Sequence, residues 1–179
     1  MKRYFLFIVM SLVLHTGVAF AQAAKPREKS EVEVFMQQVA KVKSDEIDYA
    51  YISTSMFKQL LSQMLSMVDD EAENALGIDK IFGSAMYMRR FSSTGEEGYK
   101  LLSTAMRPFF DEEEMVVMGM ELSALNRRDG VESMIYGNSE NVLVINDDAE
   151  MDNLTVVFIA GLSYDAFMKM NDSGIDLGF

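Results

Sequence analysis

Four short segments in the second half of the chain place the strongest limit on its fold. Each is rich in β-branched and apolar residues, and together they cover residues 115–122, 131–136, 142–145 and 154–160. Turn-forming residues separate them, at positions 126–130, 137–140 and 146–153. Strands that follow each other at such short intervals pair with their neighbours in the chain. The pattern therefore predicts an antiparallel meander.

The first half of the chain alternates helix and strand signals. Apolar residues recur at helical spacing over 32–42, and residues 47–51 alternate apolar with other side chains, as a strand does. A serine-rich start at 53–55 opens a second helix, whose continuous apolar stripe includes Leu61. Residues 84–91 are typical of another strand. This half therefore contributes both helices and strands to the same domain.

Two further helices are predicted from their caps. Thr94 and Glu97 have the spacing of a capping box, and Pro108 limits the helix that follows. A last short helix is predicted to begin after Ser163, its cap, and to end before Asn171. The order of elements predicts an α+β fold, in which a single domain has one mainly antiparallel sheet with helices packed on one face.

Two strings of residues resemble a known family. The first is Tyr-Ile-Ser-Thr-Ser-Met at 51–56, and the second is a late strand pair at 141–144 and 155–161 that precedes a short helix. In these strings the chain resembles the DUF4252 domain family, exported proteins of Bacteroidota whose function is not established. The resemblance implies an envelope location and an α+β fold, and it supplies no catalytic residues. Some members resemble lipoproteins, and this chain departs from them because it lacks the anchoring cysteine.

The N-terminal residues predict a cleaved export signal. Lys2 and Arg3 form a short basic start, and residues 4–14 are almost entirely apolar. Ala19 and Ala21 then supply the small-x-small pattern that a signal peptidase cleaves. The alternative is a retained membrane anchor, but the apolar run is short for a membrane span.

The export signal fixes the predicted division of the chain. Residues 1–21 are interpreted as the signal peptide, 22–30 as a flexible leader and 31–179 as the α+β domain. The mature protein is therefore expected to be periplasmic or secreted.

Composition argues against several classes of chemistry. The chain has no Cys and no Trp, and its one His, His15, lies in the predicted signal. The mature form would lack thiol mechanisms, the commonest general base and the usual ligands of zinc. The net charge is −12, and it becomes about −14 when the two basic residues of the signal are removed. Such a surface repels nucleic-acid phosphates and anionic lipids, so we expect neither nucleic acid nor membrane as a partner after cleavage.

One motif could indicate a serine enzyme. Ser55 and Lys58 fit S-x-x-K, in which a lysine one helical turn away activates a serine nucleophile. The companion motifs of penicillin-interacting enzymes, S-D-N and K-T-G, do not occur in the sequence. Because a serine at a helix start is usually a cap, the favoured interpretation is that Ser53 or Ser55 caps the second helix.

Methionines could indicate a copper site. The chain has 16 of them, and three pairs have M-x-M spacing: Met86 and Met88, Met118 and Met120, Met168 and Met170. Thioethers bind Cu(I), but on a strand residues i and i+2 also share one packed face. Since no His or Cys would anchor the metal, core packing is the favoured interpretation.

Acidic residues cluster twice in the sequence. One run covers 111–114, and the other places Asp147, Asp148, Glu150 and Asp152 in one predicted turn. Converging carboxylates bind calcium, but the EF-hand spacing is missing. Paired carboxylates also hydrolyse glycosides, but nothing in the sequence places two of them across a cleft. Solvated turns are the favoured interpretation.

These observations predict a non-enzymatic envelope protein that acts through protein contacts, as a partner or sensor module. No catalytic, cofactor-binding or metal-binding residue is predicted. The expected partner is another envelope protein, which the sequence does not identify. The alternative is a module that binds a small ligand or a cation such as calcium, and a hydrolase is the third hypothesis.

Overall fold

The computed structural model describes residues 28–56, 59, 87–111 and 115–172. The predicted signal peptide, with Ala19 and Ala21, lies outside the described residues, and so do positions 22–27 of the predicted leader. The described residues from Glu31 onward form one compact unit. No helix in this described part is both long and apolar enough to cross a membrane.

The elements follow the predicted alternation of helices and strands. The helices are α1 (Glu31–Val39), α2 (Glu96–Met106) and α3 (Tyr164–Asp172), and a 3-10 turn (Arg107–Phe109) follows α2. The strands are β1 (Ile47–Ile52), β2 (Tyr87–Ser93), β3 (Val116–Val117), β4 (Met120–Arg128), β5 (Val131–Gly137), β6 (Asn141–Asp148) and β7 (Asn153–Ala160). Residues 54–56 are helical and begin the predicted second helix, most of which, including Leu61, lies outside the described residues.

The strands form one sheet in the order β1-β2-β7-β6-β5-β4-β3, and every neighbouring pair is antiparallel. The predicted α+β class with an antiparallel sheet is therefore confirmed. Strands β4 to β7 form the predicted meander, because each pairs with the next in the chain. Strand β2 joins the meander at β7 and carries β1 on its outer side.

The first strand of the predicted meander is wrong in its bounds. Residues 115–122 do not form one strand, because Met118 and Gly119 make a two-residue turn between β3 and β4. Both residues have positive φ, 50° for Met118 and 72° for Gly119. Such turns favour Gly and Asn, and a methionine at the first position gives the sequence little turn signal.

The turn between β4 and β5 is shorter than predicted. Strand β4 continues through Arg128, and only Asp129 and Gly130 connect it to β5. Their φ values of 53° and 85° are those of a tight hairpin turn, which lets both strands stay paired up to the last residue.

Helices cover both faces of the sheet. Helices α1 and α2 pack on one face, here called face A, against Phe91, Leu143 and Phe158. Helix α3 packs on the opposite face, face B, against Val142, Val157 and Ile159 among others. In this respect the arrangement differs from the prediction, which placed the helices on one face. The reason is that β6 and β7 are apolar on both sides and must be covered on both.

The predicted capping box of α2 is wrong. Gly95 is the N-cap residue, and no side chain forms the cap hydrogen bond. Instead, Glu46 from the loop before β1 accepts the Gly98 N–H at 3.1 Å through Oε2, and its carbonyl oxygen accepts the Thr94 N–H at 2.9 Å. The start of α2 is thus fixed by a distant residue. At α3 the predicted cap is confirmed, because the Ala166 N–H donates to Ser163 Oγ at 3.2 Å.

Candidate functional site

The residues of the predicted serine motif sit at a helix start. Ser53 Oγ accepts a long hydrogen bond of 3.5 Å from the Met56 N–H and lies 3.1 Å from Ser55 Oγ. Ser55 is exposed, and Lys58 lies outside the described residues. This geometry fits the capping interpretation of Ser53 and assigns no chemical role to Ser55.

Two of the three methionine pairs do not share a strand face as predicted. Met118 lies in a turn and Met120 in β4, whereas Met168 and Met170 lie on α3, where side chains two residues apart point in different directions. Met86 lies outside the described residues. Met120 and Met170 are nonetheless buried in the two cores, which agrees with the packing interpretation.

The acidic turn lies at the end of β6. Asp147 and Asp148 belong to the strand, and Glu150 and Asp152 to the turn before β7. Within the described residues, no three acidic side chains are arranged to hold a metal ion. The second run is described only at Asp111, which is exposed.

Asp147, near the end of β6, lies in an unusual environment. Burial raises the pKa of its carboxyl group, the hydrogen bond from the Tyr99 hydroxyl lowers it, and the charges of Glu132 and Asp148 raise it further. Among the described residues, its buried Oδ1 atom has no hydrogen-bond partner. The arrangement is destabilising for the ionised form of Asp147.

A separate pocket lies on face A, where the sheet extends beyond α2. Its floor is formed by β4 and β5 through Leu122, Leu125, Met134 and Tyr136, and its volume is about 250 Å³. We call it the β4–β5 pocket. No pattern in the sequence predicts this pocket, because it forms only when the chain after α2 folds back over β4 and β5.

The roof of the β4–β5 pocket comes from the chain after α2. Phe109, Phe110 and Met115 line it from this side. Pro108 stands in the 3-10 turn that follows α2 and helps to end the helix, so the chain turns back over the sheet there. The Tyr136 hydroxyl donates to the Phe109 carbonyl oxygen at 2.7 Å, and the two rings meet edge to face at 5.0 Å. The roof is therefore anchored to the floor.

Three of the residues that line the pocket are charged: Asp111, Arg127 and Glu132. Arg127 and Glu132 are cross-strand partners, and their side chains form an ion pair of 2.9 Å. Both are partly exposed, so the pair contributes little to stability. Burial raises the pKa of the Tyr136 hydroxyl, which keeps it a hydrogen-bond donor to the roof. Most residues that line the pocket are thus apolar or aromatic, and the other three are charged.

An open strand edge runs beside the pocket. Strand β3 pairs only with Met120 and Glu121, and beyond them no described strand pairs with the outer side of β4. We call residues 123–128 the open β4 edge. Three large apolar side chains near it are exposed: Met115 by 59%, Val116 by 56% and Leu125 by 47%.

Open backbone and exposed apolar surface are rarely left together on a protein that has no partner. The unpaired N–H and C=O groups of an edge strand can form backbone hydrogen bonds with another strand. Exposed apolar patches mark contact surfaces. The only sequence signal of this region was Leu125, an apolar residue between the predicted strand and the predicted turn. One isolated leucine does not reveal an edge, because pairing partners are set by the tertiary structure.

No family model, curated protein or solved structure matches the chain. The fold and the site together define an α+β protein with one antiparallel sheet and an apolar pocket beside an open strand edge. The resemblance to the DUF4252 domain family stays a prediction from the sequence.

Proposed function

We propose that this is a non-enzymatic envelope protein that acts through protein contacts, as a partner or sensor module, and that the open β4 edge with the β4–β5 pocket is its contact surface. The partner is another envelope protein. It contributes an extended segment that pairs with the edge and places an apolar side chain in the pocket. This is the strand-addition mode of recognition, in which backbone hydrogen bonds give affinity and a pocket gives specificity.

The observation that carries the proposal is that the β4–β5 pocket and the open β4 edge are adjacent and share a residue. Leu125 belongs to both, since it lines the pocket and stands on the open β4 edge with 47% of its surface exposed. A volume of about 250 Å³ lies below the range of pockets that bury drug-sized ligands. It suits one large apolar side chain of a partner.

Composition supports the non-enzymatic part of the proposal. The predicted mature chain has no His and no Cys. Around the pocket, Glu132 is paired with Arg127 and the Tyr136 hydroxyl is bonded to a backbone oxygen. These groups are committed to structural contacts. The predicted signal, with its cleavage site at Ala19 and Ala21, supports a periplasmic or secreted location.

One observation favours the alternative, a small-ligand module. The pocket is concave and lined mainly by apolar residues with a few charged ones, which is the usual form of a ligand site. A small apolar molecule with one polar end would fit it. For the calcium form of this alternative, no grouping of acidic side chains within the described residues offers support.

Site-specific photo-crosslinking tests the proposed contact surface. A photoreactive amino acid replaces Leu125 in one variant and Met151 in a matched control. Met151 is 74% exposed in the turn between β6 and β7 and belongs to no part of the pocket. Irradiation of living cells should give one discrete protein adduct at position 125 and none at position 151. The proposal fails if both positions give the same adducts, or if position 125 gives none. An apolar small molecule recovered in the pocket of the native protein would favour the alternative.

A further inference from the structure

A second arrangement on face A lies at the other end of the sheet, where β1 is the outermost strand. Arg89 on β2 is the cross-strand partner of Tyr51 on β1. Its guanidinium group lies over the ring of Tyr51 at 5.1 Å and over the ring of Tyr87 at 5.5 Å. It also donates a hydrogen bond to the Tyr49 hydroxyl. Three tyrosines therefore hold one arginine in a fixed position.

The arginine has more donors than this frame uses. A guanidinium group has five N–H donors, and the acceptors around it are the neutral hydroxyl groups of Tyr49 and Tyr87. Within the described part of the chain, no carboxylate forms an ion pair with Arg89, and its buried Nε atom has no hydrogen-bond partner. A cation that is fixed in place and incompletely bonded is suited to bind a carboxylate through two parallel hydrogen bonds.

The acidic residue Glu33 contacts this cluster through a tyrosine. Glu33 is buried on α1, and its Oε1 accepts a hydrogen bond from the Tyr87 hydroxyl at 3.3 Å. Burial and the charge of Glu33 raise the pKa of Tyr87 to about 12, so this hydroxyl remains a donor. Glu33 therefore fixes Tyr87, and Tyr87 in turn supports Arg89.

The surface around Arg89 is open to a partner. Tyr49 and Tyr51 are 45% and 49% exposed, and no described strand pairs with the outer side of β1. Tyrosine and arginine are among the residues most enriched at contact hot spots. An extended peptide that pairs with β1 would run past both tyrosines and bring its side chains next to the guanidinium group.

We propose that the outer edge of β1 binds an extended peptide that carries an acidic side chain, and that Arg89, held by Tyr49, Tyr51 and Tyr87, binds its carboxylate. Charge complementarity selects this occupant, because Arg89 forms no ion pair within the described residues and a carboxylate matches its charge and its donors. This site is independent of the β4–β5 pocket.

Two model peptides test this site on the full chain. One is the acetylated, amidated pentapeptide Val-Glu-Val-Glu-Val, and the other has Gln in place of both Glu residues. By isothermal titration calorimetry, the Glu peptide should bind at least about tenfold more tightly than the Gln peptide, as a charge-assisted pair requires. Only the Glu peptide should lose affinity as salt is added. Equal affinities, equal salt dependence or no binding of either peptide would overturn the proposal.

A neighbouring arginine provides the matched control. Arg90 follows Arg89 on the same strand, but it is exposed and points to the opposite face of the sheet. Arg89→Gln should remove the preference for the Glu peptide, whereas Arg90→Gln should keep it. If both variants lose the preference, the effect is one of general charge and the proposal is wrong. The salt dependence of the unaltered protein decides the question if Arg89→Gln does not fold.

A further variant separates this site from the proposed contact surface. Leu125→Asp alters the open β4 edge and should leave the preference for the Glu peptide unchanged. If Leu125→Asp removes that preference, the peptide binds at β4, and the β1 proposal is wrong.

Discussion

The middle of the sheet and its two outer regions differ in the burial of their side chains and in the pairing of their backbone. Strands β6 and β7 bury their apolar side chains on both faces, and Leu143, Ile145 and Phe158 have no exposed surface. Strand β1 and the open β4 edge instead expose tyrosine, leucine and backbone groups to solvent. The difference teaches that stability is concentrated in the centre, so that the outer strands are free to carry contact residues.

The largest expected effect compares two leucines. Leu143 on β6 is fully buried, whereas Leu125 on β4 is 47% exposed. Leu143→Ala should lower the free energy of unfolding by about 2–5 kcal/mol, because it removes packed methyl groups and leaves a cavity. Leu125→Ala should cost less than about 1 kcal/mol. Urea unfolding followed by circular dichroism measures both, and similar losses would break the comparison.

A smaller effect is expected where α2 docks against the loop before β1. A Cβ atom at Gly98 would lie 2.1 Å from the carbonyl oxygen of Glu46, which is a backbone atom and cannot move aside alone. Gly98→Ala should therefore cost about 1–3 kcal/mol by overpacking. In a solvent-exposed helix the same change would stabilise the protein by about 1 kcal/mol. A lower melting temperature of Gly98→Ala therefore supports the close contact with Glu46, and a higher one contradicts it.

The smallest effect concerns Asp147, where the buried sheet reaches solvent. Because its pKa is raised in the folded protein, the folded state binds this proton more tightly than the unfolded chain does. Stability is therefore lost as the pH rises from the unfolded pKa through the folded one. Because asparagine carries no charge, Asp147→Asn should be more stable than the unaltered protein at pH values above the folded pKa. At pH values below the unfolded pKa it should be no more stable.

The pH test has a second variant. Tyr99→Phe removes the hydrogen bond that lowers the pKa of Asp147, so it should raise that pKa and deepen the loss of stability at neutral pH. Unfolding curves from pH 3 to pH 8 measure the effect. If the curves of Asp147→Asn and the unaltered protein differ by a constant amount at every pH, the assignment to Asp147 is wrong.

The sequence predicted the centre of the sheet better than its margins. The apolar runs at 142–145 and 154–160 are continuous, so their strands are recognisable, although β6 extends three residues beyond its prediction, through Asp148. A continuous apolar run is also typical of a strand that is covered on both faces. The prediction of helices on one face did not take this into account. Local pattern was enough where burial is complete.

The margins depend on contacts that have no local pattern. The start of α2 is bonded by Glu46, about 50 positions earlier, so Thr94 and Glu97 gave a false capping signal. Met118 takes a left-handed conformation that its residue type does not indicate. Both candidate sites depend on which strand edge stays unpaired, and Leu125 and Arg89 gain their significance only from the order of strands in the sheet.

Amide hydrogen exchange of the free protein tests most directly whether the open β4 edge is available for a partner. In an antiparallel edge strand, alternate N–H groups point outward and have no strand partner. Outward-pointing amides of residues 123–128 should therefore exchange rapidly, whereas amides of β6 and β7 should exchange only when the whole domain unfolds. Slow exchange of every amide from 123 to 128 would show that the edge is already covered, and it would contradict the account.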